Sequence, residues 1–182
     1  MVRELAEQLS AKGHRVTVVT CWPQYNLEDN ADLTKFQTIS VENNVKVIRV
    51  KTPPHHKVNY LIRGAVQLLL PYFFENALKS HHKEKIDAVV VYSPPLPLSI
   101  LGSRIKKKYN ARYLLNIQDI FPQNAIDLGV LRNKWLIHFF ENMEKKAYKY
   151  ADWITSHTDR GQQFLIERKD IPVEKISVLV DC

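Results

Sequence analysis

Two short segments combine polar side chains with proline directly after a stretch of apolar residues. The first is residues 92–95 (Tyr-Ser-Pro-Pro), which follows the valine run 89–91, and the second is residues 118–122 (Gln-Asp-Ile-Phe-Pro). The carboxyl ends of parallel strands meet at one edge of a sheet, and this is where α/β folds bind ligands. We therefore expect the two turns to lie side by side and to form one binding site.

Asp119 is the first candidate for chemistry at this site. An aspartate carboxylate is ionised at neutral pH and accepts a hydrogen bond from a ligand hydroxyl. The alternative, which the sequence leaves open, is an aspartate that caps a helix or braces the loop. Gln118 beside it donates and accepts hydrogen bonds but cannot shuttle a proton, which argues against an acid–base role there.

Other polar and aromatic residues follow strand ends. The turn at 92–95 would shape one wall of the cleft, or it is a plain strand-ending turn built on two prolines. Trp22 and Tyr25 follow another strand, and their rings suit stacking against a ligand, although core or lid positions are the alternative. Asp119 is thus the catalytic candidate, and the ligand-binding candidates are Gln118, Ser93, Tyr92, Pro94, Asn124 and Trp22.

Strand and helix periods alternate along the chain. The predicted strands are 15–20, 45–50, 86–92, 112–117, 153–156 and 176–180. The predicted helices are one that ends before Gly13, 60–79 with a bend at Pro71, one that contains 98–105, 123–128, 132–150 and one capped by Thr158. Residues 24–43 show no period and are predicted to be a loop. This order predicts an α/β fold with a Rossmann-like, doubly wound parallel sheet.

One predicted helix, residues 132–150, carries an apolar stripe that we expect to face the core. The stripe consists of Trp135, Leu136, Phe139, Phe140, Met143 and Ala147.

Several kinds of site are excluded by composition. The five glycines are too far apart for a Gly-x-Gly-x-x-Gly turn or a Walker loop, and there is no Gly-x-Ser-x-Gly motif. Histidines 55–56 and 81–82 are adjacent pairs whose side chains point apart, so we expect no metal site and no cofactor. Cys21 and Cys182 alone cannot form a disulfide framework, which favours a reducing compartment. The apolar segment 61–78 is interrupted by polar residues and should not span a bilayer.

The formal net charge of +7 indicates an anionic partner such as a nucleotide, a phospholipid surface or nucleic acid. A solvated basic surface without a single partner is the open alternative. The basic run 104–108 lies at a helix end, where the helix dipole already favours cations. The bent helix 60–79 carries Arg63 and the aromatic residues 72–74, which suggests a contact with a membrane that holds a lipid-linked acceptor, but a plain core helix is the favoured interpretation.

Four segments together resemble a known family. They are 11–20 (Ala-Lys-Gly-His-Arg-Val-Thr-Val-Val-Thr), 92–95, 118–122 and 125–131 (Ala-Ile-Asp-Leu-Gly-Val-Leu). This series resembles the N-terminal domain of family 4 glycosyltransferases, and most of all the bacterial branch that includes fucosamine transferases of surface polysaccharide synthesis. The serine-proline turn followed by the glutamine-aspartate turn is the specific part of the likeness.

The resemblance implies one half of a two-domain GT-B enzyme that transfers a sugar from a sugar nucleotide with retained configuration and without metal. This half binds the acceptor, a glycan or lipid-linked saccharide, in O-antigen or capsule synthesis. The donor belongs to a C-terminal domain whose paired glutamates are not found here, so this chain is expected to be inactive without that domain or a partner subunit. The resemblance places it in the cytoplasm, with a peripheral contact to the inner face of the cell membrane.

The resemblance also predicts a single domain over residues 1–182 that is truncated at both ends. Family members begin with a strand and a glycine-rich loop before the first helix, whereas Met1 falls at that helix here. The first strand is central in such a sheet. The strands 15–20 and 86–92 are therefore expected to lack their shared neighbour, at a cost of about 1–3 kcal/mol for each unpaired buried group.

Two other functions remain open. One is a non-catalytic subunit that pairs with a separate donor-domain chain. The other is a basic module that binds nucleic acid. The chain has no nucleic-acid recognition motif, and aromatic residues do not interleave with its basic run. We therefore expect no nucleic-acid partner.

Overall fold

The computed structural model describes residues 2–23, 36–54 and 59–179. The chain forms two compact units, residues 1–84 (the N-terminal unit) and residues 85–182 (the C-terminal unit). The N-terminal unit contains α1 (Val2–Ala11), β1 (Thr17–Cys21), β2 (Ile39–Glu42), β3 (Val45–Val50) and α2 (Tyr60–His81). The C-terminal unit contains β4 (Ala88–Ser93), α3 (Leu98–Tyr109), β5 (Arg112–Ile117), α4 (Gln123–Asp127), α5 (Lys134–Tyr150), β6 (Trp153–Ser156), α6 (Asp159–Lys169), a 3₁₀ turn (Val173–Lys175) and β7 (Ile176–Val178).

In the N-terminal unit, β3 is the central strand of a three-stranded sheet, with β1 parallel on one side and β2 antiparallel on the other. Alternate β3 side chains face opposite sides of this sheet, and Ile48 is fully buried. The helix α1 contributes Ala6, which packs with Val45 and Val47. Gly13 ends the α1 turn in the left-handed region with φ of 88°, as the sequence predicts.

The strand β2 corrects the prediction of a loop over residues 24–43. Residues 39–42 pair with β3 through a two-residue hairpin at Asn43 and Asn44, whose φ angles are 47° and 62°. Positive φ at both central positions is the hairpin geometry that asparagine tolerates well. Residues 39–42 do alternate apolar and polar side chains, and the Asn-Asn pair that follows is a turn signal, so the loop prediction overlooked two local signals. Residues 24–35 lie outside the described residues.

The C-terminal unit contains a parallel four-stranded sheet in the order β4-β5-β6-β7. Its core includes Tyr113, Leu115, Ile154 and Leu165, none of which is exposed. Within the described residues β1 pairs only with β3, and β4 pairs only with β5, so both are edge strands. The predicted α/β, Rossmann-like class is confirmed, and the predicted strands and helices are present with ends within two residues of those observed.

The helix α5 is only partly buried, which corrects the expectation of one continuous core-facing stripe. Met143 and Ala147 are 9% and 2% exposed, whereas Trp135 and Phe139 are 85% and 46% exposed. Asn133 caps the helix by accepting hydrogen bonds from the N–H groups of residues 135 and 136. Periodicity identifies the apolar face of a helix, but it cannot show how far along the helix a neighbouring element covers that face.

Candidate functional site

The carboxyl ends of the C-terminal sheet form a row of paired residues. Ser93 on β4 pairs with Ile117 on β5, which pairs with Ser156 on β6, which in turn pairs with Val178 on β7. Adjacent strands lie about 4.8 Å apart, so the loops that follow these residues are neighbours. This edge of the sheet is called the rim below.

The two proline-containing turns lie side by side on the rim, as the sequence predicts. The Gln118 N–H donates to the Ser93 carbonyl oxygen at 2.8 Å, which joins the end of β5 to the end of β4. The peptide bonds that precede Pro94, Pro95 and Pro122 are cis. The backbone thus fixes the register of one turn against the other.

The side chain of Gln118 is held by a residue inside β5. Its Nε2 donates to Oδ1 of Asn116, a residue that is 2% exposed and lies inside β5. This contact uses the side-chain amide nitrogen of Gln118 and leaves its side-chain oxygen, Oε1, as an acceptor for a ligand. Sequence reasoning missed Asn116, because a single polar residue within a buried strand reads as a core position.

Asp119 is exposed, and within the described residues its carboxylate forms no hydrogen bond or ion pair. Its own carbonyl oxygen accepts a hydrogen bond from the Phe121 N–H at 3.0 Å, which closes the turn. Pro122 precedes α4, and no side chain caps that helix. The geometry therefore does not support the alternative of a capping or bracing aspartate, and the carboxylate is available to a ligand.

The other candidates on the rim differ in exposure. Pro94 and Asn124 are exposed, Tyr92 is half-buried, and Ser93 is 4% exposed. The Asn124 N–H donates to the Ile120 carbonyl oxygen at 2.9 Å, which ties the start of α4 to the Asp119 turn. Burial favours a role for Ser93 in forming the turn, which was the alternative to direct ligand contact.

Trp22 belongs to the N-terminal unit, where it follows β1. The backbone N–H of Trp22 donates to the Val50 carbonyl oxygen at 2.8 Å, and the Lys51 ammonium lies 5.1 Å from the centre of the Trp22 ring. Burial raises the pKa of the neighbouring Cys21 thiol. Tyr25 lies outside the described residues. The role of Trp22 in binding stays a prediction.

The end of β6 adds polar groups that the sequence did not single out. Ser156 is 3% exposed, and Nδ1 of the next residue, His157, is buried without a hydrogen-bond partner in the described part of the chain. Thr158 caps α6 by accepting from the Gly161 N–H at 3.0 Å, as predicted. A Cβ on Gly161 would collide with Ser156 Oγ, so the start of α6 is packed directly on the rim.

A cavity of about 470 Å³ lies away from the rim, between the C-terminal halves of α5 and α6. It is lined mainly by charged side chains, among them Glu144, Lys145, Lys149, Arg168, Lys169 and Lys175. These residues lie toward the C-terminal ends of both helices, near the amino ends of the strands and thus at the edge of the sheet opposite the rim. The cavity is therefore separate from the candidate site. Among the described residues, no cluster of three histidine, cysteine, aspartate or glutamate side chains could hold a metal ion.

One family of known proteins matches almost the entire chain. The family model described as the glycosyl transferase 4-like domain matches residues 1–180. A comparison with curated proteins found no match. Because this family model covers nearly the whole sequence, the chain belongs to the glycosyl transferase 4-like domain family.

Proposed function

We propose that this chain is the acceptor-binding half of a glycosyltransferase of surface polysaccharide synthesis. The observation that carries the proposal is the rim, where the exposed Asp119 carboxylate, which has no partner among the described residues, lies next to the half-buried Gln118 amide. Carboxylate and amide oxygens accept hydrogen bonds from sugar hydroxyls. Membership of the glycosyl transferase 4-like family supplies the reaction class.

Asp119 orients the acceptor in this proposal. A retaining transfer places the reacting acceptor hydroxyl close to the sugar nucleotide, so the carboxylate has to hold that hydroxyl rather than remove its proton outright. Gln118 holds a second hydroxyl with its carbonyl oxygen, and the 92–95 turn forms the adjoining wall. The reaction needs no metal in this mechanism.

The partner in the proposal is a donor-binding half, supplied by the same protein or by a separate subunit. The acceptor is a glycan or a lipid-linked saccharide of the O-antigen or capsule type, and fucosamine-like sugars are the first donors to test. None of the helices that the structure describes is long and apolar enough to cross a membrane. We propose a peripheral position at the cytoplasmic face of the cell membrane.

Acceptor binding tests the proposal directly. Asp119→Asn keeps the shape of the side chain and removes its charge, so binding of short alkyl glycosides should weaken about 10- to 100-fold, as expected for a charge-assisted hydrogen bond. Saturation-transfer NMR and calorimetry measure this on the chain itself. The matched control is Asp127→Asn, because this nearby carboxylate already accepts a hydrogen bond from Gln123 at 2.7 Å.

Equal affinities for the wild type and Asp119→Asn would remove the proposed role of this carboxylate. A second measurement addresses the reaction. Sugar transfer from sugar nucleotides should require a donor-binding half and should be absent with the chain alone. Transfer by the isolated chain would contradict the assignment of this chain to the acceptor side.

A further inference from the structure

Large apolar side chains lie exposed in the segment that joins α4 to the first turns of α5. Leu128, Val130, Trp135, Leu136 and Phe139 are 78%, 53%, 85%, 43% and 46% exposed. We call these five residues the α4–α5 patch. Single exposed apolar residues are common, but five large ones within twelve consecutive positions indicate an interaction surface.

The patch is held in place by backbone hydrogen bonds. The N–H groups of Val130 and Leu131 both donate to the Ala125 carbonyl oxygen at 2.9 Å, which folds the connecting loop against α4. Trp135 and Phe139 are four residues apart and share one face of α5. The exposed side chains therefore project from ordered backbone.

The charged side chains within the patch segment are cationic. From residue 128 to residue 140 the chain carries Arg132, Lys134 and His138 and no acidic residue. Two carboxylates border this stretch: Asp127 accepts a hydrogen bond from Gln123, and Glu141 lines the cavity between α5 and α6. Within the described residues neither Arg132 nor Lys134 forms an ion pair, and Arg132 Nε donates to the Gly129 carbonyl oxygen at 2.8 Å. Both cations are thus free to meet an anionic surface.

We propose that the α4–α5 patch docks onto the surface of an anionic phospholipid bilayer. Tryptophan and phenylalanine insert at the boundary between headgroups and acyl chains, and flanking lysine and arginine bind phospholipid phosphates. This inference rests on the proposed function in one respect, since it explains how a lipid-linked acceptor reaches the rim.

The patch also borders the candidate site. The Phe139 and Phe140 ring centres are 5.2 Å apart, and the Phe140 and Phe121 ring centres are 5.0 Å apart. Phe121 lies two residues after Asp119. A bilayer in contact with α5 would therefore bring headgroup-level saccharides close to the Asp119 turn.

A second exposed apolar surface serves as the comparison. On α2, Leu69 and Tyr72 are 49% and 60% exposed, whereas Val66 and Leu70 on the other side are buried. Between residues 62 and 72 this helix carries a single cation, Arg63. The lower density of positive charge favours the α4–α5 patch as the bilayer contact.

Vesicle binding tests the inference on the full chain. We expect the wild type to float with vesicles of mixed phosphatidylglycerol and phosphatidylcholine. Trp135→Ser with Phe139→Ser should reduce the partition coefficient by about tenfold or more, since two apolar side chains then no longer leave water. Arg132→Gln with Lys134→Gln should reduce binding to the anionic vesicles roughly 30-fold and leave binding to pure phosphatidylcholine unchanged.

The control is Leu69→Ser with Tyr72→Ser on α2, which should bind vesicles as the wild type does. Trp135 emission should also shift to shorter wavelength with vesicles when Trp22 and Trp153 are replaced by phenylalanine. Circular dichroism verifies the fold of each variant. Unchanged flotation of the Trp135 and Phe139 variant, or loss of binding in the α2 variant alone, would overturn the inference.

Absence of vesicle binding by the wild type would also overturn it, and sedimentation velocity would then show whether a second copy covers the patch. Binding of soluble alkyl glycosides separates this inference from the proposed function. The patch variants should keep the wild-type affinity for alkyl glycosides. The two proposals can therefore fail independently of each other.

Discussion

Glu144 is a charged side chain that folding has removed from water, with 1% of its surface exposed. Tyr148 Oη donates to Oε1 at 2.8 Å, and Lys169 Nζ lies 2.8 Å from Oε2. Burial, reinforced by the Glu144 charge, raises the pKa of the Tyr148 hydroxyl, so this group stays a donor. The three residues join α5 to the end of α6 through a fully satisfied polar network.

Lys169→Met is therefore expected to be strongly destabilising. It leaves the buried Glu144 carboxylate without its counter-charge, which lowers the free energy of unfolding by about 3–5 kcal/mol. Urea denaturation followed by circular dichroism measures the change.

The matched control is Lys146→Met, because Lys146 lies exposed on α5, the helix that carries Glu144, and has no ion pair within the described residues. Adding Glu144→Gln to Lys169→Met should restore part of the loss. A loss below about 1 kcal/mol for Lys169→Met would place this pair among ordinary surface ion pairs.

Sequence reasoning located some rim residues and missed others for an identifiable reason. Gln118 and Asp119 were found because they follow a strongly apolar strand, where a change to polar residues marks the strand end. Asn116 and His157 were missed because their importance depends on neighbours that folding supplies. For Asn116 that neighbour is the Gln118 amide, and for His157 it is the burial of Nδ1.

At the scale of secondary structure, the contact between α3 and the C-terminal sheet depends on one glycine. A Cβ on Gly102 would lie 2.6 Å from Cε2 of Tyr113 and 2.8 Å from Cγ2 of Val91. Both neighbours are core residues, and Tyr113 is fully buried. The helix lies this close to β4 and β5 only because position 102 has no side chain.

Gly102→Ala should consequently destabilise the protein. Overpacking at this contact should lower the free energy of unfolding by about 1–3 kcal/mol, more than the helix propensity of alanine returns. Thermal or urea unfolding measures the effect. Gly64→Ala in α2 is the matched control, since no atom in the described part of the chain lies within 4 Å of its added Cβ, and it should be neutral or stabilising.

If Gly102→Ala proved as stable as the wild type, the close approach of α3 to the sheet would be wrong.

The positions of strands and helices could be predicted from the sequence, because the apolar period and the turn residues depend on local structure. The close approach at Gly102 was not accessible, since it depends on which side chains meet across elements. The exposed half of α5 escaped prediction for the same reason.

The charge of the whole molecule is the basis for a further prediction. The formal net charge is +7, yet several cations are already paired, including Arg49 with Glu42, Lys106 with Asp152 and Lys169 with Glu144. Burial by itself would raise the pKa of Asp152, but hydrogen bonds from Lys106 and the Tyr113 N–H, together with the charges of Lys106 and Arg112, lower it and keep the pair ionised. Ion pairs of this kind leave fewer cations to contact the phosphates of a nucleic acid.

Binding to nucleic acid should accordingly be weak and governed by salt. Affinity for DNA oligonucleotides should fall roughly tenfold or more between about 50 and 200 mM salt, and single and double strands should bind alike. Fluorescence anisotropy at the two salt concentrations measures this. Salt-resistant binding, or a tenfold preference for single strands, would favour a nucleic-acid module over the acceptor-binding half.

The edge-to-face series of Phe139, Phe140 and Phe121 has a mechanical consequence. Because close-packed side chains transmit displacement, we expect a shift of Phe139 to move Phe140 and Phe121, and with them the loop that carries Asp119. No hinge is needed for this transmission. If the protein is held at an interface by Phe139, as proposed above, we expect the Asp119 loop to be stiffer than in the same protein free in water.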